Sequence, residues 1–266
     1  MLSFPLFRRD AVPAFKLLAV VAAILTMYSI LIIMMFDPSI GKLLEQLQQS
    51  MPEMMNLFGM GALTSTLTEF IANYLYGFLM LLVPLLFIVP STGRMLACRV
   101  DRGSMACLLA GPVGRRRIAG TAAAVLISGI LLLDLFCTVL GLVWSGALFP
   151  GQLDVPAYLT LNLGVLCLHS LLSGLCYLFS CLFDDSRRYY AMAAGVPLVF
   201  YLLQMLKNMG GRLEWLQYLT PFTLFNPAAV LAGGGSVFPS MVVLVLFGAA
   251  LFWLGAFLFT RRDLSV

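Results

Sequence analysis

The sequence predicts an all-α integral membrane protein with six transmembrane helices and both termini cytoplasmic. Three observations predict it. Of the 266 residues, 61% are hydrophobic and only 11% are charged, against roughly 25% charged in soluble domains. The apolar residues gather into six long runs, and a bilayer core of about 30 Å needs about 20 such residues to cross it. Lys and Arg then sort onto alternate connections between the runs, the pattern that marks cytoplasmic loops.

The runs cover about 15–36, 70–90, 118–148, 157–183, 189–208 and 238–260. The first follows Phe7-Arg8-Arg9-Asp10. It is too long for a signal-peptide core and no A-x-A cleavage site follows it, so it reads as a retained span. All six are apolar nearly all round, as helices in lipid or in a bundle core are. None alternates apolar and polar residues over about ten positions, as a β-barrel strand does. Gly77, Pro84, Gly129, Gly141, Gly164, Gly174, Gly195 and Pro197 lie inside the runs, where membrane helices tolerate them. With the N-terminus inside, 13 Lys and Arg residues fall on inside segments and 3 (Lys42, Lys207 and Arg212) on outside ones. Five or seven spans would put a basic cluster on the wrong side. The whole chain, 1–266, reads as one transmembrane domain.

Three connections carry more than topology. In the first exterior one, Ile40, Leu43, Leu44, Leu47 and Met51 recur at helical spacing among polar residues. This predicts an amphipathic helix over about 39–51, lying on the outer surface and broken by Pro52. Met54, Met55 and Met60 follow. Such a cluster could ligate a soft copper ion, but adaptable packing is the reading favoured for Met in an apolar setting, and no metal site is expected. The first cytoplasmic connection, 91–117, holds seven of the charged residues, including Arg94, Arg99, Asp101, Arg102 and Arg115 to Arg117. Between its two basic groups, Met105 to Ala110 predicts a short helix that stops at Gly111-Pro112. Composition leaves two readings open: a solvated loop, or a docking helix for a cytoplasmic partner. The last exterior connection is too apolar for a loop and too short to span. It predicts short helices over about 213–231, broken at Thr220-Pro221 and Asn226-Pro227 and dipping back into the outer leaflet.

The motifs absent from the sequence exclude several classes. There is no G-x-x-x-x-G-K-[ST], H-E-x-x-H or G-x-S-x-G pattern, so the chain is not expected to hydrolyse ATP or to act as a metalloprotease or serine hydrolase. Net charge is a modest +4 with no basic tract interleaved with aromatics, so no nucleic-acid partner is expected. The six Cys form no CxxC and none lies in an exterior loop, so they read as small apolar packing residues. Asp134 and His169, the only His, sit deep in the third and fourth runs. Ionisable residues at that depth face protein or water. Either they mark a proton or substrate path, or they form an interhelical polar lock; the second is favoured, because no relay surrounds them.

Three segments together carry a resemblance. They are Asp101-Arg102-Gly103-Ser104 through Leu108-Leu109 to Pro112-Val113-Gly114-Arg115; Tyr218-Leu219-Thr220-Pro221-Phe222 with Phe225-Asn226-Pro227; and the ending Phe259-Thr260-Arg261-Arg262-Asp263-Leu264. In that order, on six spans, the chain resembles the ABC-2 type permeases, the membrane subunits of many bacterial ABC exporters. It departs at Asp101, where the family commonly has Glu, and at Gly114, where it has Ser or Thr. The resemblance implies a multi-pass protein of the bacterial cell membrane, paired with a second permease copy as a homodimer and docked on two copies of a separate ATPase that binds ATP and Mg. The chain itself would need no cofactor and have no catalytic residue. The helix at about 101–112 would be the coupling helix, with Asp101, Gly103, Ser104, Leu108, Pro112 and Arg115 facing the ATPase. Tyr218, Pro221, Phe222, Phe225 and Pro227 would form an exterior gate. The stretch Leu2 to Ala14 would lie at the inner interface. Few fixed charges in the spans favour amphipathic or lipophilic cargo: a peptide, peptide toxin, antimicrobial or lipid. The alternatives are an ATP-independent channel or secondary transporter using Asp134 and His169, and a non-transporting membrane anchor or sensor.

Overall fold

The computed structural model describes residues 3–36, 50–51, 66–111, 113–209, 211–234 and 237–262. The amphipathic helix expected over about 39–51 lies outside them except for Ser50 and Met51. Met54, Met55 and Met60 lie outside them as well, and so does Pro112. Every regular element among the described residues is helical. Six helical stretches are long and apolar enough to cross a membrane: Phe4–Met35, Leu67–Asp101, Arg115–Leu148, Val155–Leu182, Ser186–Asn208 and Val237–Arg261. They are the first to sixth spans below.

Each span starts before its apolar run, in four of the six because the helix takes in polar residues that the run excludes. The first is the largest case. Phe4 to Met35 is one helix of 32 residues, about 48 Å at 1.5 Å per residue. The stretch before Ala14 is therefore the foot of the span, not a separate surface helix. Asp10, buried on this foot, is held by the Arg99 guanidinium through both carboxylate oxygens. That pair fixes the foot upright against the end of the second span.

The second span is the irregular one. A capping box opens it, with Thr66 accepting from the Glu69 N–H and Glu69 accepting from that of Thr66. The helix widens to a π-helical turn over Leu75–Leu79, restarts at Leu85 after Pro84, and restarts again as Ala97–Asp101. The third span begins at Arg115, taking in the arginines read from sequence as loop. Asp154 and Asp185 cap the fourth and fifth spans, accepting from Ala157 N–H and Arg187 N–H respectively.

The fourth span is the hub: 72% of its apolar window is buried, against 22% for the fifth and the sixth. It packs most closely on the sixth. A Cβ on Gly174 would stand 2.7 Å from the Gly248 carbonyl oxygen, and one on Gly248 would stand 2.9 Å from that of Ser170. Only residues without a side chain allow backbones this close, the usual device where lipid supplies no hydrophobic drive between helices. Buried hydroxyls clip the spans together. Tyr158 and Tyr177 of the fourth donate to the Cys137 and Ala119 carbonyls of the third, and Tyr189 of the fifth donates to Val89 of the second.

Polar contacts also gather the span ends. The Ser3 N–H donates to Thr121 Oγ1, Arg99 holds Asp10, Ser186 meets Asp101, and Arg262 meets Asp184. Most of the Lys and Arg residues sit here, at what is called the basic end. At the other end Phe36 packs edge-on against Phe70 and Phe149, and the Asp154 N–H donates to Thr68 Oγ1.

Candidate functional site

Three places hold the residues singled out by sequence. The first is mid-bundle. His169 Nδ1 lies 3.0 Å from each carboxylate oxygen of Asp134, and Nε2 lies 2.8 Å from the Met80 carbonyl oxygen. Both side chains are buried, 1% and 4% exposed. A carbonyl oxygen only accepts, so Nε2 carries a hydrogen; one further proton is shared between Nδ1 and the carboxylate. The Met80 carbonyl needs this donor for a local reason. In an α-helix it would accept from the N–H of residue 84, and Pro84 has none. The fourth span thus supplies the hydrogen bond that the second span's proline removes. Sequence reasoning found Asp134 and His169 but missed Met80; the signal was Pro84, four residues on.

The second place is the end opposite the arginines. The connection before the sixth span forms three short helices: 3-10 turns at Gly211–Tyr218 and Pro221–Leu224, then Pro227–Leu231. Both expected breaks are present. Thr220 accepts from the Phe222 N–H, Asn226 accepts from the Ala228 and Ala229 N–H groups, and each proline opens the next turn. The five residues named here divide. Phe222 and Phe225 are buried, Pro221 and Pro227 are half-buried, and Tyr218 is 85% exposed. Phe222 packs edge-on against Tyr201, which meets Phe78 in the same way. Phe225 fills the space beside Gly164. Beneath these turns is a cleft of about 250 Å³, walled by the second span (Asn73, Tyr76), the fifth (Tyr201, Gln204) and the connection (Phe222, Asn226).

The third place is the basic end. The helix expected over about 101–112 is shorter. Asp101 ends the second span, Gly103 turns the chain with φ +69°, and Ser104–Leu109 forms the helix. The reason is backbone geometry: a left-handed residue stops one helix before the next begins, and glycine alone adopts it without strain. Met105 is fully buried and anchors the helix, and Leu108 is half-buried beside it. Asp101, Gly103 and Ser104 are exposed. Ser186 Oγ donates to Asp101 Oδ2 at 2.5 Å, and Ser104 Oγ donates to the Arg99 carbonyl at 3.2 Å. Arg115 opens the third span and donates to the Arg262 carbonyl at 2.6 Å. From sequence, Arg99 belonged to the basic cytoplasmic connection and Asp10 had no role assigned, so their pairing was missed. The carboxylate between Arg9 and an apolar run was the available signal.

Among the described residues no three His, Cys, Asp or Glu side chains gather as a metal site. The six cysteines are free; four are buried in spans and Cys107 is exposed on the short helix. The chain matches no protein-family model, no curated protein and no solved structure.

Proposed function

We propose that this chain is the permease subunit of an ATP-driven exporter of the bacterial cell membrane, with its basic end in the cytoplasm. A separate ATPase, in two copies, docks at Asp101 to Leu109, and a second copy of the chain completes the path. One observation supports this above the others. The second and fifth spans carry the exposed turn at one end, joined there by Asp101 and Ser186. The same two spans wall the cleft at the other end, under the short helices. A force applied at the turn reaches the cleft through these two spans, the fifth an unbroken helix and the second a helix interrupted at its π turn and at Pro84, which is what coupling to an outside motor needs. The cleft mixes amide side chains with aromatic rings, which suits amphipathic cargo such as a peptide or lipid.

The ATP-independent alternative relied on Asp134 and His169. Both imidazole nitrogens and both carboxylate oxygens are engaged within the bundle, which favours a structural pair over an open relay.

The test is reconstitution with the ATPase that co-purifies from native membranes. Gly103→Val strains a left-handed backbone, while its Cβ has no neighbouring atom within 4 Å. It should leave insertion and basal ATP hydrolysis intact and abolish ATP-dependent cargo movement. Wild-type transport by Gly103→Val, or native membranes yielding no ATPase partner, would refute the proposal.

A further inference from the structure

The sixth span ends in two arginines that face opposite ways. Arg262 turns inward: it pairs with Asp184 and donates to the Cys181 and Leu182 carbonyls, closing the end of the fourth span. Arg261 turns outward. Its guanidinium lies 4.3 Å above the Phe257 ring, and Phe257 stacks on Trp253, 5.5 Å away at 16°. Trp253 is 67% exposed. Residues 253, 257 and 261 are four apart, so one helix face carries an aromatic ladder topped by a cation. Such a face belongs at the boundary between acyl chains and headgroups, where Trp sits and where Arg extends to the polar layer.

Beside this ladder the third span begins. Gly114, Arg115, Arg116 and Arg117 meet Phe257, Thr260 and Arg261 around an open groove of about 440 Å³. The Arg115 bond to the Arg262 carbonyl ties the two span ends and sets the groove's width. Among the described residues no carboxylate pairs with Arg116, Arg117 or Arg261, although Arg9, Arg99, Arg188 and Arg262 all have acidic partners. The charge is therefore concentrated where two spans leave the apolar layer, with no carboxylate partner among the described residues.

We propose that this groove binds the phosphodiester headgroup of an anionic phospholipid, with Arg116, Arg117 and Arg261 on the phosphate and Phe257 and Trp253 along the upper acyl chain. Arginine forks match phosphate oxygens in pairs. Basic pockets between membrane helices select anionic headgroups. The aromatic ladder continuing from the groove into the apolar layer commits the occupant to a lipid rather than to free phosphate. The inference needs only that the chain lies in a bilayer, and it stands apart from the transport reading.

Native mass spectrometry of the purified full-length protein, titrated with phosphatidylglycerol or phosphatidylcholine of equal chain length, tests it. The wild type should prefer phosphatidylglycerol. Arg116→Gln, Arg117→Gln and Arg261→Gln should each lower that preference roughly fivefold, and the triple variant should remove it. Arg187→Gln/Arg188→Gln, at the same end but outside the groove, should leave it unchanged. Elution and thermal unfolding in phosphatidylcholine report whether each variant is folded; if the triple variant is not, the single variants carry the test. Equal binding of the two lipids, or a preference that survives the substitutions, overturns the proposal. So does displacement by inorganic phosphate at constant ionic strength, which would make the groove a simple anion site.

Discussion

Two buried carboxylates hold the bundle in different ways. Asp10, at the basic end, is gripped by Arg99, with Arg9 Nε also 3.4 Å away. Asp134, mid-bundle, has His169 as its only ionic partner among the described residues. Arginine stays charged in any setting, so the Asp10 contact is an ion pair throughout. The Asp134 contact holds one proton between two groups that can both be neutral. The difference follows depth. Near the end of the spans, with Arg99 17% exposed, a permanent pair keeps some solvation. In the middle of the apolar layer, separated charges are costly, and a pair that can share a proton avoids much of that cost.

Substitutions can break this comparison. The largest effect is expected from His169→Ala. It strips Asp134 of its donor and leaves the Met80 carbonyl, opposite Pro84, without one. Losing one partner of a buried pair costs about 3 kcal/mol or more, read as a fall in the folded fraction during denaturant titration in mixed micelles. Arg99→Ala should cost less, about 2 kcal/mol, since Arg9 remains beside Asp10 and the site borders the polar layer. If Arg99→Ala proves the more damaging, depth does not set the cost. The smallest effect is expected from Asp134→Asn, whose amide can donate to a bare Nδ1 while Nε2–H stays on Met80. It should cost under about 1 kcal/mol. A stable Asp134→Asn protein that has lost transport would instead give the carboxylate a part in the path.

Much of the bundle was legible from composition. The six runs became six spans because uninterrupted apolar stretches of that length have one solution in a bilayer. Thr220-Pro221 and Asn226-Pro227 broke the last connection where capping side chains and prolines dictate. What escaped was set by contacts between distant segments. Arg115 to Arg117 read as loop because charge was taken to end a helix, yet the backbone bonds continue through them. The Asp10 to Arg99 pair joins residues 89 apart, and the carboxylate before an apolar run marks Asp10 without naming its partner. The π turn at Leu75–Leu79 leaves no periodicity to read. At the candidate site, the left-handed Gly103 was visible as a glycine, but its effect of shortening the helix to Ser104–Leu109 needed the backbone.

The seam between Gly174 and Gly248 bears on how the protein is made. The fourth span cannot close its backbone-to-backbone contact at Gly174 until a helix nearly 75 residues later has entered the membrane. Until then the groove around Gly174 presents bare backbone to lipid or to whatever insertion factor attends the chain. A ribosome stalled before the sixth span would therefore leave a five-helix intermediate with an open flank, and that flank is a mark by which membrane quality control could recognise unfinished copies.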